Sequence, residues 1–205
     1  MARHNASFYL MAFLCVGVAA YAFVAYTLVP LGAVVHPLMR ANFETHRFGI
    51  ELHIFASVLA LLSGPFQFSA SLRASRPQLH RWLGRLYLGG GVLVGGLAGL
   101  WMAQFAYGGV TGRLGFACLA VLWLFTGAMA YVHARARSFA AHRRWMVINF
   151  ALTLAAVTLR LYLPMSMLAR IDFDLAYPAI AWLCWVPNLL LAWLYLRSRP
   201  QVQAS

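Results

Sequence analysis

The chain has 205 residues, 63% of them hydrophobic and 10% charged, with a mean hydropathy of +0.74. Soluble domains run about 45–50% apolar and about 25% charged, so this composition excludes an ordinary soluble fold and points to a polytopic membrane protein. The formal net charge is +12 and every one of the sixteen basic residues is arginine, a balance explained by membrane topology and anionic lipid headgroups, with no nucleic-acid binding expected.

Six apolar runs are each long enough to cross a bilayer: roughly 8–30, 49–69, 86–107, 114–133, 145–168 and 175–196. The expected fold class is an all-α integral membrane protein, a single transmembrane domain over residues 1–205. Its loops are short, which makes successive helices antiparallel neighbours. A four-helix core of spans two to five, flanked by spans one and six, is the expected architecture. The first run follows a basic start, Met1-Ala2-Arg3-His4, as in a signal peptide, but it exceeds the usual apolar length of one and is read as a span. Arginines crowd the termini and the second and fourth loops. The positive-inside rule therefore places both termini in the cytoplasm, and the lysine-free composition suits a bacterial inner membrane.

The outer segment before span two carries Glu44-x-His46 and then Glu51-x-His53. Carboxylate and imidazole together suit zinc, iron or copper, so these four residues form a candidate metal site; the alternative is a solvated helix start. The spacing of seven puts the two Glu on one helical face if the helix runs through, with Gly49 the expected point of interruption.

Three spans carry a small or polar face. Span two gives His53, Ser57, Ala60, Gly64 and Gln67. Span three gives His80, Gly84, Tyr87, Gly91, Gly95 and Ala98, and span five gives His142, Asn149, Thr153, Ala156 and Arg160. Steps of three and four residues, or multiples of a turn, place each set on one side of a helix. Such faces avoid lipid and are expected to meet inside the protein, either as plain helix packing or around a flat macrocycle.

The histidines repeat. Arg73 precedes His80-Arg81-Trp82, and Arg135 precedes His142-Arg143-Arg144-Trp145, at an offset of 62 residues. The pair reads as a duplicated helix–loop–helix unit. Histidines at equivalent places on membrane helices are a usual means of holding a cofactor. His133, at the inner end of span four, is expected at a similar depth.

Arg160 lies within span five. An intramembrane arginine is costly and is a functional candidate by default; the bland alternative is a side chain reaching up to the outer headgroups. Its expected partner is Glu51 or an anionic ligand, and with Glu51 it is a candidate binder of a small solute, lipid or quinone. Asp174-Leu175-Ala176-Tyr177-Pro178 looks like a helix start, and Pro187 is expected to kink the last span. Cys15, Cys118 and Cys184 lie in three different apolar segments, which indicates neither a disulfide framework nor a thiolate metal site. Gly89-Gly90-Gly91 sits within a span and is not a phosphate cradle.

Leu62-Ser63-Gly64-Pro65-Phe66-Gln67-Phe68, His80-Arg81-x-x-Gly84-Arg85-x-Tyr87, His142-Arg143-Arg144-Trp145 and Leu159-Arg160-Leu161 together resemble a bacterial family of predicted membrane proteins, catalogued as domain of unknown function 2306. The resemblance covers about Gly49 to Pro164 and implies a multi-span fold without an activity. A looser resemblance is to two-haem transmembrane cytochromes. It implies haem b between His80 and His142, with Arg81, Arg85, Arg143 and Arg144 toward the propionates, Tyr87 beside them, and electron transfer as the activity. Three readings stay open: a haem b redox protein, a non-enzymatic accessory or assembly subunit with a membrane-protein partner or a second copy of itself, and a small-ligand or quinone binder using Arg160, Glu51 and His53.

Overall fold

The computed structural model describes residues 6–198, so Met1–Asn5, with Arg3 and His4, and Arg199 lie outside the described residues. A chain in hydrocarbon must satisfy each backbone N–H and C=O within itself, and the described residues accordingly form helices and no strand. Six helical segments among them are long and apolar enough to span a membrane: Phe8–Thr27, Arg47–Gln67, Pro77–Ala103, Gly109–Arg135, Phe139–Leu168 and Phe173–Arg197. Backbone contacts divide the chain after Ala98 into two compact units.

The first unit begins with α1 (Ala6–Thr27), followed by the short helix α2 (Pro37–Thr45). The His36 side chain caps α2 by accepting from the Leu38 N–H, and Pro37 opens it, where a missing donor costs nothing. The central helix of the unit is α3 (Arg47–Gln67). One face of α1, with Cys15, Ala19 and Ala22 buried, packs on α3. Helix α4 (Ala70–Ser75) is capped by Ser69 and leads to α5 (Pro77–Arg85). The chain then widens into a π segment, Leu86–Leu93, and returns to α-geometry in α6 (Val94–Ala103). Together these make the third span, and its α5 and π parts lie against α3.

The π segment holds Gly89, Gly90 and Gly91. A Cβ on Gly91 would stand 2.8 Å from the Cβ of Ala60 and 3.0 Å from its Cα, so only glycine lets the two backbones approach this closely. The core of the unit is Ala60, Leu61, Tyr87 and Val92, each no more than 2% exposed.

The second unit contains α7 (Gly109–Arg135), α8 (Phe139–Thr153), α9 (Ala155–Leu168), α10 (Phe173–Leu183) and α11 (Val186–Arg197). Helices α7 and α8 form a hairpin; α10 packs on α7 and α9, and α11 packs on α8. Asp172 caps α10, accepting from the Asp174 N–H at 2.7 Å. The last span breaks at Cys184–Trp185, just before Pro187, as the proline leads one to expect.

Two helix ends use arginine where glycine is usual. After α7 the Arg137 N–H donates to Ala134 O and the Ser138 N–H to His133 O. After α9 the Arg170 N–H donates to Met167 O and the Ile171 N–H to Ser166 O. Both are Schellman closures with a left-handed residue, at φ 58° for Arg137 and 55° for Arg170.

Helix boundaries differ from the sequence expectation. Spans three, four and five begin at Pro77, Gly109 and Phe139, well before the apolar runs. Hydropathy marks the part of a helix in hydrocarbon, whereas backbone hydrogen bonding carries the same helix into the headgroup layer. The helix before span two breaks at His46, between α2 and α3, and Gly49 lies inside α3 without interrupting it.

Candidate functional site

The three sequence stripes resolve into two hairpin seams, one in each unit. In the first, span two meets span three at successive levels. His53 Nδ1 lies 2.8 Å from Gly95 O. A carbonyl only accepts, so Nδ1 carries the proton and Nε2 is the lone-pair nitrogen. Two turns along α3, Ala60 fills the place of the missing Gly91 side chain. Two turns further, Gln67 Oε1 would stand 3.1 Å from a Cβ on Gly84. Gln67 Nε2 is buried with no hydrogen-bond partner among the described residues, so packing holds this level. Arg73 Nη1 donates to Gln67 O at 3.2 Å and ties the turn to the end of α3.

In the second seam, span four meets span five. His142 Nδ1 lies 2.8 Å from Ala130 O, which fixes the same tautomer as in His53. Asn149, fully buried, donates through Nδ2 to Trp123 O and to Thr126 Oγ1, both at 2.8 Å. Trp123 Nε1 donates to Thr153 Oγ1 at 2.9 Å, and Thr153 Oγ1 donates to Asn149 O at 3.2 Å. Nearer the outer end Asn188 Nδ2 donates to Thr158 Oγ1 at 3.0 Å, joining α11 to α9. Each of these polar groups has a donor or acceptor where lipid offers none.

His80 and His142 are each the fourth residue of their helix, α5 and α8, and each is half-buried. The duplication in sequence is thus a duplication in local structure. His80 belongs to the first unit and His142 to the second. Arg81, Arg85, Arg143 and Arg144 are exposed, whereas Tyr87 is fully buried. His133 is half-buried in the last turn of α7. Glu51 accepts from Arg47 Nε at 2.8 Å, an ion pair one helical turn apart at the start of α3. Arg160 Nη1 donates to Ala156 O of its own helix at 3.0 Å. Among the described residues no three His, Cys, Asp or Glu side chains gather as a metal site would need, and that includes Glu44, His46, Glu51 and His53.

Sequence reasoning missed several groups. Trp123 and Thr126 have the i, i+3 spacing of a shared face opposite Asn149 and Thr153, and that spacing was the available signal. Between spans three and four, in the second unit, the Tyr107 hydroxyl donates to Asp174, inside an aromatic group with Phe173 and Tyr177. That bond to a carboxylate, with some desolvation, holds the phenol above its ordinary pKa. These partners are 67 residues apart, and no local pattern links them.

The chain belongs to the DUF2306 family of predicted membrane proteins, whose pattern matches residues 50–196. The match spans both hairpins and extends through the last span, further than the sequence motifs alone reach. No curated protein and no solved structure matches the chain, so the looser likeness to two-haem cytochromes gains no support from either comparison.

Proposed function

We propose that this DUF2306 protein is a non-enzymatic accessory or assembly subunit of the membrane, built as two helical hairpins that present their outer faces to a partner protein or a second copy of the chain. The observation that carries this reading is the closure of the stripes. The small and polar residues of spans two and three, and of spans four and five, meet one another. Ala60 of α3 fills the place of a Gly91 side chain, and His53 of α3 bonds the Gly95 carbonyl. Packing of this kind makes a rigid scaffold without requiring a ligand.

A second reading has its own observation. An imidazole whose Nδ1–H donates to a carbonyl presents Nε2 in the orientation and tautomer usual for a metal-ligating histidine. His142 has that arrangement, with Arg143 and Arg144 beside it in sequence as candidate partners for propionates. Haem b on His142 would make the chain an electron-transfer protein.

The visible spectrum of protein purified in mild detergent separates the two readings. The subunit reading expects a colourless protein that migrates with a partner or as an oligomer on native electrophoresis. A sharp reduced α-band that His142→Ala removes would overturn it in favour of haem. A colourless, strictly monomeric protein, recovered alone even after mild cross-linking of its own membrane, would also sink the subunit reading.

A further inference from the structure

We infer that the basic end of the third span is a binding site for the phosphate of an anionic phospholipid, held between Arg81 and Arg85 with its acyl chains starting beside Trp82. These arginines lack a carboxylate partner among the described residues. The four carboxylates of the chain are Glu44, Glu51, Asp172 and Asp174, so none falls among the 120 residues between Glu51 and Asp172. The ion pair among the described residues joins Arg47 to Glu51, at the other end of α3. Arg81 and Arg85 are exposed on α5, one turn apart on the same face. Like charges at that spacing destabilise a helix unless an anion lies between them. A phosphate bridging two guanidiniums removes the repulsion and accepts their planar, paired donors.

The depth is that of a headgroup. The span runs Pro77–Ala103, 27 residues. At about 1.5 Å per residue it is about 40 Å long, against about 30 Å of hydrocarbon, so its first turns stand in the interfacial layer. Trp82 is 59% exposed on the same short helix. Exposed tryptophan marks the boundary between headgroups and acyl chains. A soluble anion would satisfy the arginines and leave that apolar surface uncovered, whereas a lipid covers both.

The test uses the full chain in nanodiscs of phosphatidylcholine, with and without a minor fraction of phosphatidylglycerol. Native mass spectrometry reads the lipid retained. The wild type is expected to keep phosphatidylglycerol in preference to phosphatidylcholine. Arg81→Gln with Arg85→Gln is expected to weaken that retention on the order of ten-fold or more. Arg81→Lys keeps the charge but not the fork and is expected to fall between them. Arg40→Gln with Arg170→Gln, changes outside this helix, are expected to retain the lipid as the wild type does. Undiminished retention in the Arg81/Arg85 double variant overturns the site. So does displacement of phosphatidylglycerol by millimolar inorganic phosphate, which would mark a site for a free anion.

Discussion

Two side chains show how differently a polar group behaves at the end of a span and within it. Tyr107 sits outside the spans, and its bond to Asp174 raises the phenol pKa. A folded-state pKa above the unfolded value means that the bond stabilises the fold fully at neutral pH. That contribution is lost as pH rises past the ordinary tyrosine range of about 10 and through the raised value. Asp174→Asn is expected to shift the phenol ionisation back toward the ordinary value, read as the difference between wild-type and variant ultraviolet titrations. Coincident curves would show that the carboxylate does not govern this phenol. Asn149 is the opposite case, fully buried within the second seam. Asn149→Ala removes two hydrogen bonds and leaves a small void. A loss of about 1–3 kcal/mol is expected, because membrane hydrogen bonds average well under 1 kcal/mol and the cavity adds to them. Reversible unfolding in mixed detergent measures it.

At the scale of elements, two helices carry local geometry that a single substitution can interrogate. Gly91→Ala places a methyl 2.8 Å from the Ala60 Cβ, and both backbones are held by their helices, so a cost of about 1–3 kcal/mol is expected. Gly89→Ala meets nothing within 4 Å and is expected to stay within about 1 kcal/mol of the wild type. Equal thermal stability of the two variants would remove the close approach as the reason for glycine at Gly91. The closure after α7 gives a second comparison. Arg137 holds φ 58°, where an L side chain is strained. Arg137→Gly is expected to be more stable than Arg137→Ala by about 1 kcal/mol, since both remove the charge and only one removes the strain. If the alanine variant melts at the same temperature or above, the left-handed closure is not the stable form.

For the whole molecule, the arginine asymmetry predicts that the α4–α5 segment faces the cytoplasm and α2 the opposite side. Single cysteines at Ser75→Cys and Asn42→Cys test this with a membrane-impermeant reagent on intact cells. Cys15 and Cys184 are buried and Cys118 lies within a span, so they should give little background. Labelling of Ser75→Cys from outside would reverse the orientation. Much of this level was legible in the sequence, because a run of about twenty apolar residues has one common solution in a bilayer. The stripes His53–Gln67 and His142–Arg160 were legible as faces by their spacing. Which face each met was not, since Ala60 on Gly91 and Asn149 on Trp123 depend on hairpin register. The start of α5 at Pro77 was hidden because Arg81 and Arg85 lower the hydropathy of a helix that continues regardless. The π segment was hidden because glycines permit it without requiring it. The pairing of Glu51 with Arg47 is an i, i+4 contact that the sequence displays, yet the costlier Arg160 drew attention as the partner.

The division of the chain after Ala98 bears on how the protein is made. A ribosome delivers sequence in order, and α1, α2, α5 and the π segment, which pack on α3, all precede that point. The first three spans can therefore settle against one another while the remainder is still being synthesised. Contacts between near neighbours in sequence form quickly, because little loop entropy is lost in closing them. Gln67 and Gly84 are 17 residues apart in sequence, and Ala130 and His142 only 12. The order of synthesis and the order of assembly then coincide, and the nascent chain has little time in which the small faces of its seams lie open to lipid or to the wrong helix.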